Sequence, residues 1–489
     1  MPTLPADFSP LAVIGSRRMG AADGAVLASI NPATGTVLTD LPACGPAEID
    51  AAVAAARARF EAGSWAAMAP RQRKAILLRV ADAVAARAEE FALLETLDAG
   101  KPIGDTRAVD VPLALGTLRY YAEAIDKIHG EVGPSGPDRL SWAVHDPLGV
   151  IGAIVPWNFP LHMAMWKIAP AIAMGNSVVV KPSELTSLTA LRFAEVALEA
   201  GLPDGVLNVV PGTGAAAGAA LASHMDVDMI TFTGSGPVGR QLLRYSADSN
   251  LKRVSLELGG KSPHIVFADW PDLDRAAEAA AWGIFYNQGQ VCTAGSRLLV
   301  QRSIHAEFVE RLIKVAATIR PGDPLDPATR LGAVISEKQM NGVLSRIADA
   351  RREGADLVLG GEQARKDSGG FFIEPTIFDN VDPAGALARE EVFGPVLAVI
   401  PFDTPEEALR LANDSDFGLA SGLWTGSMTT ANHFARALRA GLVWINGWDA
   451  CDITMPFGGF KQSGFGRDRS LHALYKYADL KSISVSFPA

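Results

Sequence analysis

One cysteine of this chain lies in a setting suited to nucleophilic chemistry. Cys292 ends the polar, glycine-containing stretch Asn287-Gln288-Gly289-Gln290-Val291-Cys292. A cysteine thiolate in such a loop can attack a carbonyl carbon, whereas a buried cysteine is more often a small hydrophobic residue. We therefore assign the hydrophobic role to Cys44 and Cys451 and the nucleophilic role to Cys292. The sequence places no histidine to act as its base, and no His/Cys spacing of a metal site occurs, so we expect no metal.

A glycine motif and an acidic residue add a second possible chemistry. Gly234–Gly239 reads Gly-Ser-Gly-Pro-Val-Gly and matches the turn that holds a dinucleotide pyrophosphate at a helix N-terminus. Glu257 follows at about the 20-residue distance at which such folds place the acid that binds the ribose. Glu257 also precedes Gly259-Gly260, where it could equally be a catalytic carboxylate. The residues alone leave both roles of Glu257 open.

These residues fall at the ends of predicted strands. Short apolar runs alternate with helix-length segments such as Thr186–Ala200, which is the pattern of a buried parallel sheet. Ligands bind at the carboxyl ends of such strands, so we expect the segments after the strands to meet at one edge. The predicted strands are Val150–Val155, Ser177–Val180, Val206–Val210, Met229–Thr233 and Val254–Leu258.

The rest of the chain predicts a second domain of the same kind. We therefore predict an α/β fold with two tandem open parallel-sheet domains. An Ala-rich helical stretch from about Pro70 to Asp98 precedes them, and two outlying segments, Arg139–His145 and Leu480–Phe487, alternate like exposed strands that could pair with each other. The second series comprises a strand at His264–Phe267, a helix near Leu273–Asn287, a strand near Arg297–Val300 and a helix near His305–Ile319.

Composition excludes several classes of protein. The chain has 489 residues, 48% of them hydrophobic, and 44 basic against 54 acidic residues give a net charge of −10. This balance argues against a nucleic-acid partner and against disorder. The N-terminus has no signal-peptide pattern, no stretch approaches the roughly 20 apolar residues of a membrane span, and three cysteines cannot build a disulfide framework. We expect a soluble cytoplasmic enzyme with no membrane partner.

The strand-end segments, taken together, resemble the NAD(P)-dependent aldehyde dehydrogenase superfamily over nearly the whole chain. The stretch Gly466–Leu474 is further similar to the γ-glutamyl-γ-aminobutyraldehyde and guanidinobutyraldehyde dehydrogenases of polyamine and arginine breakdown. The matching segments are Val155–Pro160, Lys181–Glu184, Phe232–Ser235, Leu256–Lys261, Gly289–Cys292, Glu391–Pro395 and Pro456–Gly464.

The resemblance implies a role for each catalytic candidate. Cys292 would be the nucleophile that forms a thiohemiacetal with the aldehyde, and the Asn158 amide and the Cys292 N–H would stabilise the oxyanion, at about 3–4 kcal/mol per donor. After hydride transfer to the nicotinamide, Glu257 would activate the water that hydrolyses the thioester. The resemblance thus favours a general base for Glu257.

The resemblance also implies how NAD would be held. Lys181 and Glu184 would bind the adenosine ribose and Glu391 the nicotinamide ribose, while Gly234 and Ser235 would lie in the pyrophosphate loop and Gly236 could be incidental. NAD is expected over NADP because Glu184 would repel a 2′-phosphate, although Lys181 weakens that argument. The other expected cofactor contacts are Ile154, Val155, Pro156, Trp157, Ser183, Gly214, Gly218, Phe232, Thr233, Val238, Leu258, Gly259 and Phe393.

The family fold implies an NAD-binding domain at residues 1–128 and 149–259 and a catalytic domain at 260–473. Residues 129–148 and 474–489 would form strands that join subunits into a homodimer or homotetramer. A cationic substrate tail would need aromatic faces and a carboxylate at the tunnel mouth, for which the candidates are Asp110, Trp166, Trp448 and Asp452. Against this, Trp166 could be core and both aspartates solvated.

Four other functions remain to be weighed. A general aldehyde dehydrogenase would not select for a charged tail, and a CoA-acylating semialdehyde dehydrogenase would not need Glu257 to activate water. A catalytically silent relative would have little reason to keep Asn158, Glu257 and Cys292 together. A cysteine hydrolase would leave the strand-end motifs without a purpose.

Overall fold

The computed structural model describes residues 4–5, 7–450 and 452–488. Cys451, to which we assigned a core role, lies outside the described residues. The strands of the first half of the chain are β1 (Ala12–Ile14), β2 (Arg17–Met19), β3 (Val26–Ile30), β4 (Val37–Pro42), β5 (Glu131–Val132), β6 (Arg139–Pro147), β7 (Val150–Ile154), β8 (Ser177–Lys181), β9 (Leu207–Val209), β10 (Met229–Thr233) and β11 (Arg253–Glu257).

The second half contributes a further set of strands. They are β12 (Pro263–Val266), β13 (Arg297–Gln301), β14 (Asp356–Leu359), β15 (Gln363–Ala364), β16 (Phe372–Ile373), β17 (Thr376–Asp379), β18 (Val396–Phe402), β19 (Phe417–Gly418), β20 (Ala420–Trp424), β21 (Leu442–Ile445), β22 (Phe460–Lys461), β23 (Gly464–Phe465) and β24 (Ala478–Ser486).

The α-helices connect these strands, and short 3₁₀ segments (Ile125–Lys127, Tyr286–Gly289, Arg302–Ile304 and Lys366–Ser368) and π-helical segments (Thr106–Asp110 and Gly214–Gly218) occur as well. The α-helices are α1 (Pro46–Glu61), α2 (Pro70–Ala85), α3 (Ala88–Ala99), α4 (Ile103–Asp105), α5 (Val111–Ala124), α6 (Pro160–Ala173), α7 (Leu188–Glu199), α8 (Ala219–Ser223), α9 (Gly236–Ala247), α10 (Leu273–Phe285), α11 (His305–Ala316), α12 (Glu337–Arg352), α13 (Ala386–Arg389), α14 (Pro405–Asn413), α15 (Met428–Ala437) and α16 (His472–Tyr475).

The first sheet has the order β2-β1-β9-β8-β7-β10-β11-β23, and its five central strands are parallel. These are the five predicted strands, which confirms the parallel sheet. Alternate residues face opposite sides: Ile151 packs into a core with α2, α3, α5, α6 and α7, and Ile230 packs into a core with α1, α8 and α9. The antiparallel edge strands β1, β2 and β23 were not predicted, because each has only two or three residues.

The second sheet has the order β14-β17-β18-β13-β12-β20-β21 and is parallel apart from β14. Helices α12, α14 and α15 cover one face and α10 and α11 the other. The predicted α/β class with two such sheets is therefore confirmed. The single helical stretch expected from Pro70 to Asp98 is wrong, because the chain breaks into α2 and α3 at Ala86–Arg87, where neither glycine nor proline signals an end.

The two outlying segments form a third sheet. β24 pairs antiparallel with β6, with Leu480 opposite His145 and Val485 opposite Leu140, and β5 completes the sheet. This confirms their predicted pairing. Leu480 is 66% exposed and Val132 is 75% exposed, so the sheet carries uncovered apolar side chains. No helix among the described residues is long and apolar enough to cross a membrane.

Candidate active site

Cys292 lies where two cavities meet between the two large sheets. The wider cavity, about 280 Å³, runs along the strand ends of the first sheet. The narrower one, about 80 Å³, runs along α6 to the other side of Cys292. Cys292 and Met163 line both cavities. A group in one cavity therefore meets a group in the other at the thiol.

The loop that carries Cys292 is held by its own backbone geometry. It follows a 3₁₀ turn in which Asn287 and Gln288 have φ of 48° and 57°, a conformation that few residues other than glycine adopt. Glycine is required at Gly289, where a Cβ would overlap the backbone of Gly394. These constraints turn Cys292 towards the two cavities. Burial raises the pKa of the thiol, and the carboxylates of Glu391 and Glu257 raise it further.

Asn158 is fixed beside this loop by hydrogen bonds to it. Its Nδ2 donates to the Gln290 carbonyl at 2.9 Å, and its own carbonyl accepts from Asn287 Nδ2 at 3.0 Å. An amide has two N–H groups, so one remains for a ligand. The Cys292 N–H donates to no acceptor within the described chain. The two donors of the expected oxyanion site are thus present.

Glu257 ends β11 and is 2% exposed. Neither of its carboxylate oxygens has a hydrogen-bond partner within the described residues. Burial raises its pKa well above the ordinary value, and Asp468 raises it further, whereas Lys167 and Lys476 act in the opposite direction. Both lysines pair with Asp468. Burial thus disfavours the ionised form of this unpartnered carboxyl, which lies beside a buried cluster of two lysines and one aspartate.

Nine of the expected cofactor residues line the wider cavity, and the others lie outside its lining. Lys181, at the end of β8, is buried and donates to Glu184 at 3.0 Å, and burial lowers the pKa of this lysine. Gly218 lies beside the Lys181 side chain, and the Gly214 Cα faces open space. The residues of the set that line the wider cavity are Pro156, Trp157, Thr233, Gly234, Ser235, Leu258, Gly259, Glu391 and Phe393.

The remaining members of this set lie close by. Val155 donates its N–H to Lys181 O at 3.2 Å, and the Ser183 hydroxyl accepts from the Leu185 N–H. Ile154 and Phe232 are buried next to each other in the sheet, so they support the site rather than line it. Val238, in the first turn of α9, is 45% exposed.

The glycine motif divides into required and dispensable positions. A Cβ at Gly234 would overlap the Phe232 ring, and one at Gly239 would lie 3.0 Å from Leu258. At Gly236 it would meet only the flexible end of Arg240, at 3.3 Å. The interpretation of Gly236 as incidental is consistent with this geometry.

The fit of the wider cavity to a dinucleotide rests on three further observations. Ser235 precedes α9, whose first N–H groups are open to an anion. A Cβ at Gly259 would overlap the Glu391 carboxylate, which accepts the Gly260 N–H at 2.9 Å. Burial raises the pKa of Glu391 to about 7. The cavity thus offers an anion site at one end and a hydroxyl-binding carboxyl near Cys292 at the other.

The narrow cavity departs from the expected substrate contacts. Trp166 lines it, as expected. Trp448 lies further out, in a cavity of about 340 Å³ that shares Tyr286 and Asp449 with the narrow one. Its indole stacks on His264, with ring centroids 4.4 Å apart. We call this outer space the mouth cavity.

The two aspartates are not among the lining residues. Asp452 is exposed, and its carboxylate accepts the N–H and hydroxyl of Thr454. Asp110 is 0% exposed and pairs with the buried ammonium of Lys101. The expectation of Asp110 at the mouth does not match this position, because the carboxylate is neutralised behind the cavity wall. Lys101 also lies 3.3 Å from the Asn158 carbonyl.

Residues that the sequence did not single out make up most of the narrow cavity. The acidic residue that lines the mouth cavity is Asp449, an exposed residue with φ of 55°. Its position directly after the predicted substrate contact Trp448 could have indicated this role. Arg469 was not predicted as a site residue, although it lies in the stretch Gly466–Leu474 on which part of the family resemblance rests. The other lining residues are Val109, Leu113, Phe159, His162, Met163, Tyr286, Val291, Thr293 and Phe457.

Two open parallel sheets, a cavity along the strand ends of the first sheet and a cysteine shared with a second cavity define an α/β enzyme that uses a covalent cysteine. The chain belongs to the aldehyde dehydrogenase family, whose sequence pattern matches residues 20–483. This confirms the resemblance and makes the protein an enzyme of the oxidoreductase class. Membership of this family favours a dehydrogenase over a cysteine hydrolase.

Individual relatives resemble the chain over almost their full length. The NADP/NAD-dependent aldehyde dehydrogenase PuuC of Escherichia coli (strain K12) is 51% identical over 96% of this chain and 94% of its own. A crystal structure of γ-glutamyl-γ-aminobutyraldehyde dehydrogenase from Burkholderia cenocepacia J2315 has a TM-score of 0.96 and 53% sequence identity. The match covers 98% of this chain and 97% of that one. The structure of an indole-3-acetaldehyde dehydrogenase in complex with NAD⁺ has a TM-score of 0.97 and 52% sequence identity. The match covers 98% of this chain and 97% of that one.

Proposed function

We propose that the protein oxidises a nitrogen-bearing aldehyde to its carboxylic acid through a covalent intermediate on Cys292. The observation that carries the proposal is the position of Cys292 at the junction of the two cavities. One cavity takes the aldehyde and the other the electron acceptor. Asn158 lines the wider cavity, and Glu257, whose carboxylate oxygens have no partner within the described residues, is close enough to act on the charge of Cys292.

Formation of the intermediate depends on two residues. The Cys292 thiol gives its proton to solvent, and the sulfur bonds to the carbonyl carbon as the C=O π bond opens and its electron pair moves to the oxygen. The free N–H of Asn158 Nδ2 and the Cys292 N–H donate to the oxygen that becomes negative. Because the Asn158 side chain is already anchored on Gln290, little reorganisation is needed when this charge develops.

Release of the product depends on Glu257. When ionised, its carboxylate takes a proton from water, and the resulting hydroxide attacks the thioester to free the acid and the Cys292 thiol. Lys167 and Lys476, which both pair with the buried Asp468, offset the negative charge of the ionised Glu257. An acid at this position supports water, rather than CoA, as the acceptor of the acyl group.

We assign NAD to the wider cavity. When bound there, NAD⁺ would be the acceptor of two electrons from the aldehyde. Lys181 and Glu184 would hold the adenosine ribose, Ser235 the pyrophosphate and Glu391 the nicotinamide ribose. We propose a preference for NAD over NADP, because Glu184 is 41% exposed on its side chain and already paired with Lys181. A 2′-phosphate would have to compete with that pair.

The nitrogen-bearing tail is supported by the names of relatives at 51–53% identity and by Asp449 at the mouth. A place in polyamine breakdown and a cytoplasmic location belong to the same proposal. An aldehyde dehydrogenase without tail selectivity is the alternative, and the indole-3-acetaldehyde relative favours it.

We further propose the expected domain division, residues 1–128 with 149–259, 260–473, and 129–148 with 474–489, and an assembly of two or four subunits. The third sheet leaves the backbone of β5 and β24 unpaired on its outer edges, and pairing across subunits closes such edges. Light scattering should give a species larger than the 51.5 kDa of one chain. A single 51.5 kDa species would contradict the assembly.

The test of the catalytic proposal uses Cys292→Ala and its matched control Cys44→Ala. With NAD⁺ and 4-aminobutanal, the first variant should form no NADH and still bind NAD⁺. The second should retain activity, because Cys44 is buried in the core beside α1. Turnover that survives in Cys292→Ala would refute the mechanism, and CoA-dependent turnover of the native enzyme would refute water as the acceptor.

A further inference from the structure

Lys261 is a buried cation that the proposed mechanism does not use. It follows Gly259-Gly260 in the segment between β11 and β12 and is 2% exposed. Its ammonium nitrogen has no hydrogen-bond partner within the described residues. A buried charge without a partner is costly, so a fully buried lysine at this position calls for a compensating group nearby.

The backbone of Lys261 is fixed by a second buried cation. Arg297, at the start of β13, donates from Nε to the Lys261 carbonyl at 2.9 Å. Its other two nitrogens donate to the carbonyls of Leu411 and Ala412 at 3.0 and 2.9 Å. Burial lowers the pKa of Lys261 to about 7, with Arg297 acting in the same direction. Arg297 therefore holds Lys261 in place but adds to the positive charge around it.

Two neighbouring carboxylates act in the opposite direction. Glu391 and Glu390 both favour the ammonium form of Lys261 and raise its pKa. Glu390 is half exposed and already pairs with Arg346. Glu391 is therefore the carboxylate whose charge is left to balance Lys261.

The Glu391 carboxylate lies on the backbone directly before Lys261. Its Oε1 accepts the Gly260 N–H at 2.9 Å, and a Cβ at Gly259 would overlap its Oε2. Burial raises the pKa of Glu391 to about 7, whereas the Gly260 N–H and Lys261 lower it. Glu391 also lines the wider cavity. The same carboxylate thus borders the cofactor cavity and balances the charge of Lys261.

Lys261 itself reaches neither reactant. It lines neither of the two cavities that meet at Cys292. The cavity that it does line has a volume of about 10 Å³, which is room for about one water molecule and none for an aldehyde or a dinucleotide. Any role of Lys261 in the reaction must therefore pass through a neighbouring side chain.

We propose that Lys261 is a positioning residue for the nicotinamide end of the cofactor: its ammonium attracts the Glu391 carboxylate, which accepts hydrogen bonds from the nicotinamide ribose hydroxyls. This inference rests on the proposed function, which assigns Glu391 to that ribose, and deepens it. Hydrogen bonds to an ionised acceptor are about twice as strong as those between neutral groups. A buried counter-charge that favours the ionised carboxylate therefore tightens binding of the ribose.

The pH dependence follows from the directions of these shifts. Because Lys261 lowers the pKa of Glu391, its removal raises that pKa. NAD⁺ should bind the native enzyme more tightly as pH rises through about 7, and Lys261→Met should move that rise to higher pH. Above both pKa values the native lysine is neutral as well, so native and variant should converge. The other charged groups beside this pair, Arg297 and Glu390, are the same in both proteins.

The test measures the dissociation constants of NAD⁺ and of ADP, which has no nicotinamide ribose, by calorimetry. At about pH 6.5, Lys261→Met should weaken NAD⁺ binding by about tenfold, the equivalent of one pKa unit, and at about pH 9 by less than about twofold. ADP binding should not change. In a Glu391→Gln background, Lys261→Met should have no further effect on NAD⁺.

Two control variants separate other causes. Lys252→Met removes another buried lysine, whose Nζ has its own acceptors in Ala222 O and Ser249 Oγ, and should leave NAD⁺ binding unchanged. The thiol of Cys292 also lies near Glu391, so the pH series is repeated in Cys292→Ala, where the rise should persist. Loss of the rise in Cys292→Ala would make the thiol its source and overturn the inference.

Three further results would contradict the role of Lys261. One is a loss of NAD⁺ binding that is equal at both pH values or shared by ADP, which indicates a structural residue. Another is an effect of Lys261→Met that persists undiminished in Glu391→Gln. The third is failure of both Lys261→Met and Lys261→Gln to bind ADP, since the lysine would then serve the fold. If Glu391→Gln alone left NAD⁺ binding unchanged, the cofactor assignment itself would fail, whatever Lys261 does.

Discussion

Replacing Asp110 by alanine would leave the Lys101 ammonium buried without its partner. Lys101 and Asp110 are both fully buried and paired, and removal of one partner of such a pair costs about 3–5 kcal/mol of folding free energy. Glu95 would absorb part of this cost. Burial and Asp110 raise its pKa to about 8, so without Asp110 the Glu95 carboxyl loses its proton more readily and can balance Lys101. We therefore expect the lower end of the range, about 3 kcal/mol.

The effect should extend to catalysis without changing substrate choice. Lys101 Nζ lies 3.3 Å from the carbonyl of Asn158, so a displaced ammonium disturbs the loop that presents the oxyanion donor. A misplacement of this kind can cost up to about 100-fold in rate. Because Asp110 does not touch the cavity, the loss should be the same for 4-acetamidobutanal, 4-aminobutanal and pentanal.

The assay combines denaturant titration with kcat/KM for the three aldehydes, in Asp110→Ala and in the double variant Lys101→Met with Asp110→Leu. The double variant leaves no buried charge unpaired, so it should be less destabilised than Asp110→Ala. A loss of activity confined to 4-aminobutanal would refute this reasoning and restore Asp110 as a substrate contact. A double variant less stable than Asp110→Ala would contradict the ion-pair argument.

The remaining predictions concern the cofactor and the base. Glu257→Gln should give one equivalent of NADH followed by turnover slower by about 10²–10⁴-fold, because thioester hydrolysis loses its base; unchanged steady-state kinetics would contradict this. Glu184→Gln should raise kcat/KM with NADP⁺ relative to NAD⁺ by about tenfold, since a like charge is removed, and an unchanged ratio would count against Glu184. Turnover limited by hydrolysis should rise with pH, since Glu257 works only after losing its proton, and Lys476→Met should move that rise to higher pH; a shift to lower pH would contradict the role of the cluster.

The sequence predicted the parts of the fold whose signals are local. The β10 strand was predicted with its observed bounds, and β7, β8, β9 and β11 to within one residue at each end, because buried parallel strands are continuous apolar runs. The pairing of β6 with β24 could be predicted from alternation alone, although some 330 residues separate them. The break between α2 and α3 and the edge strands of the first sheet carried no such signal.

The site divides in the same way. The polar loop around Cys292 pointed to a nucleophile, whereas the residues around Glu257 left two roles open, and the roles of Glu257 and Asn158 came from the family resemblance. Arg469 and Asp110 could not be placed, because the surroundings of each depend on distant packing. Asp110 ends a π-helical segment, Thr106–Asp110, and such a turn holds more residues than an α-helical one. From spacing alone an acidic residue there appears solvated, and only the fold shows that Lys101 meets it in the core.

A single physical cause links the two reactive groups. Burial raises the pKa of Cys292 and of Glu257, and the carboxyls near the thiol raise the pKa of Cys292 further, so the buried site works against the anionic form of both groups. Two anions at this junction would repel each other, and the neutral forms avoid that repulsion until a proton leaves. Asp468 pairs with Lys167 and Lys476, and these two ion pairs hold the pKa of Asp468 below its ordinary value despite its burial. The positive charge left over in this cluster therefore stabilises the ionised form of Glu257 once the thioester has formed and the thiolate charge has gone. The order of events, first cysteine and then carboxylate, follows from this electrostatic competition between neighbouring acids.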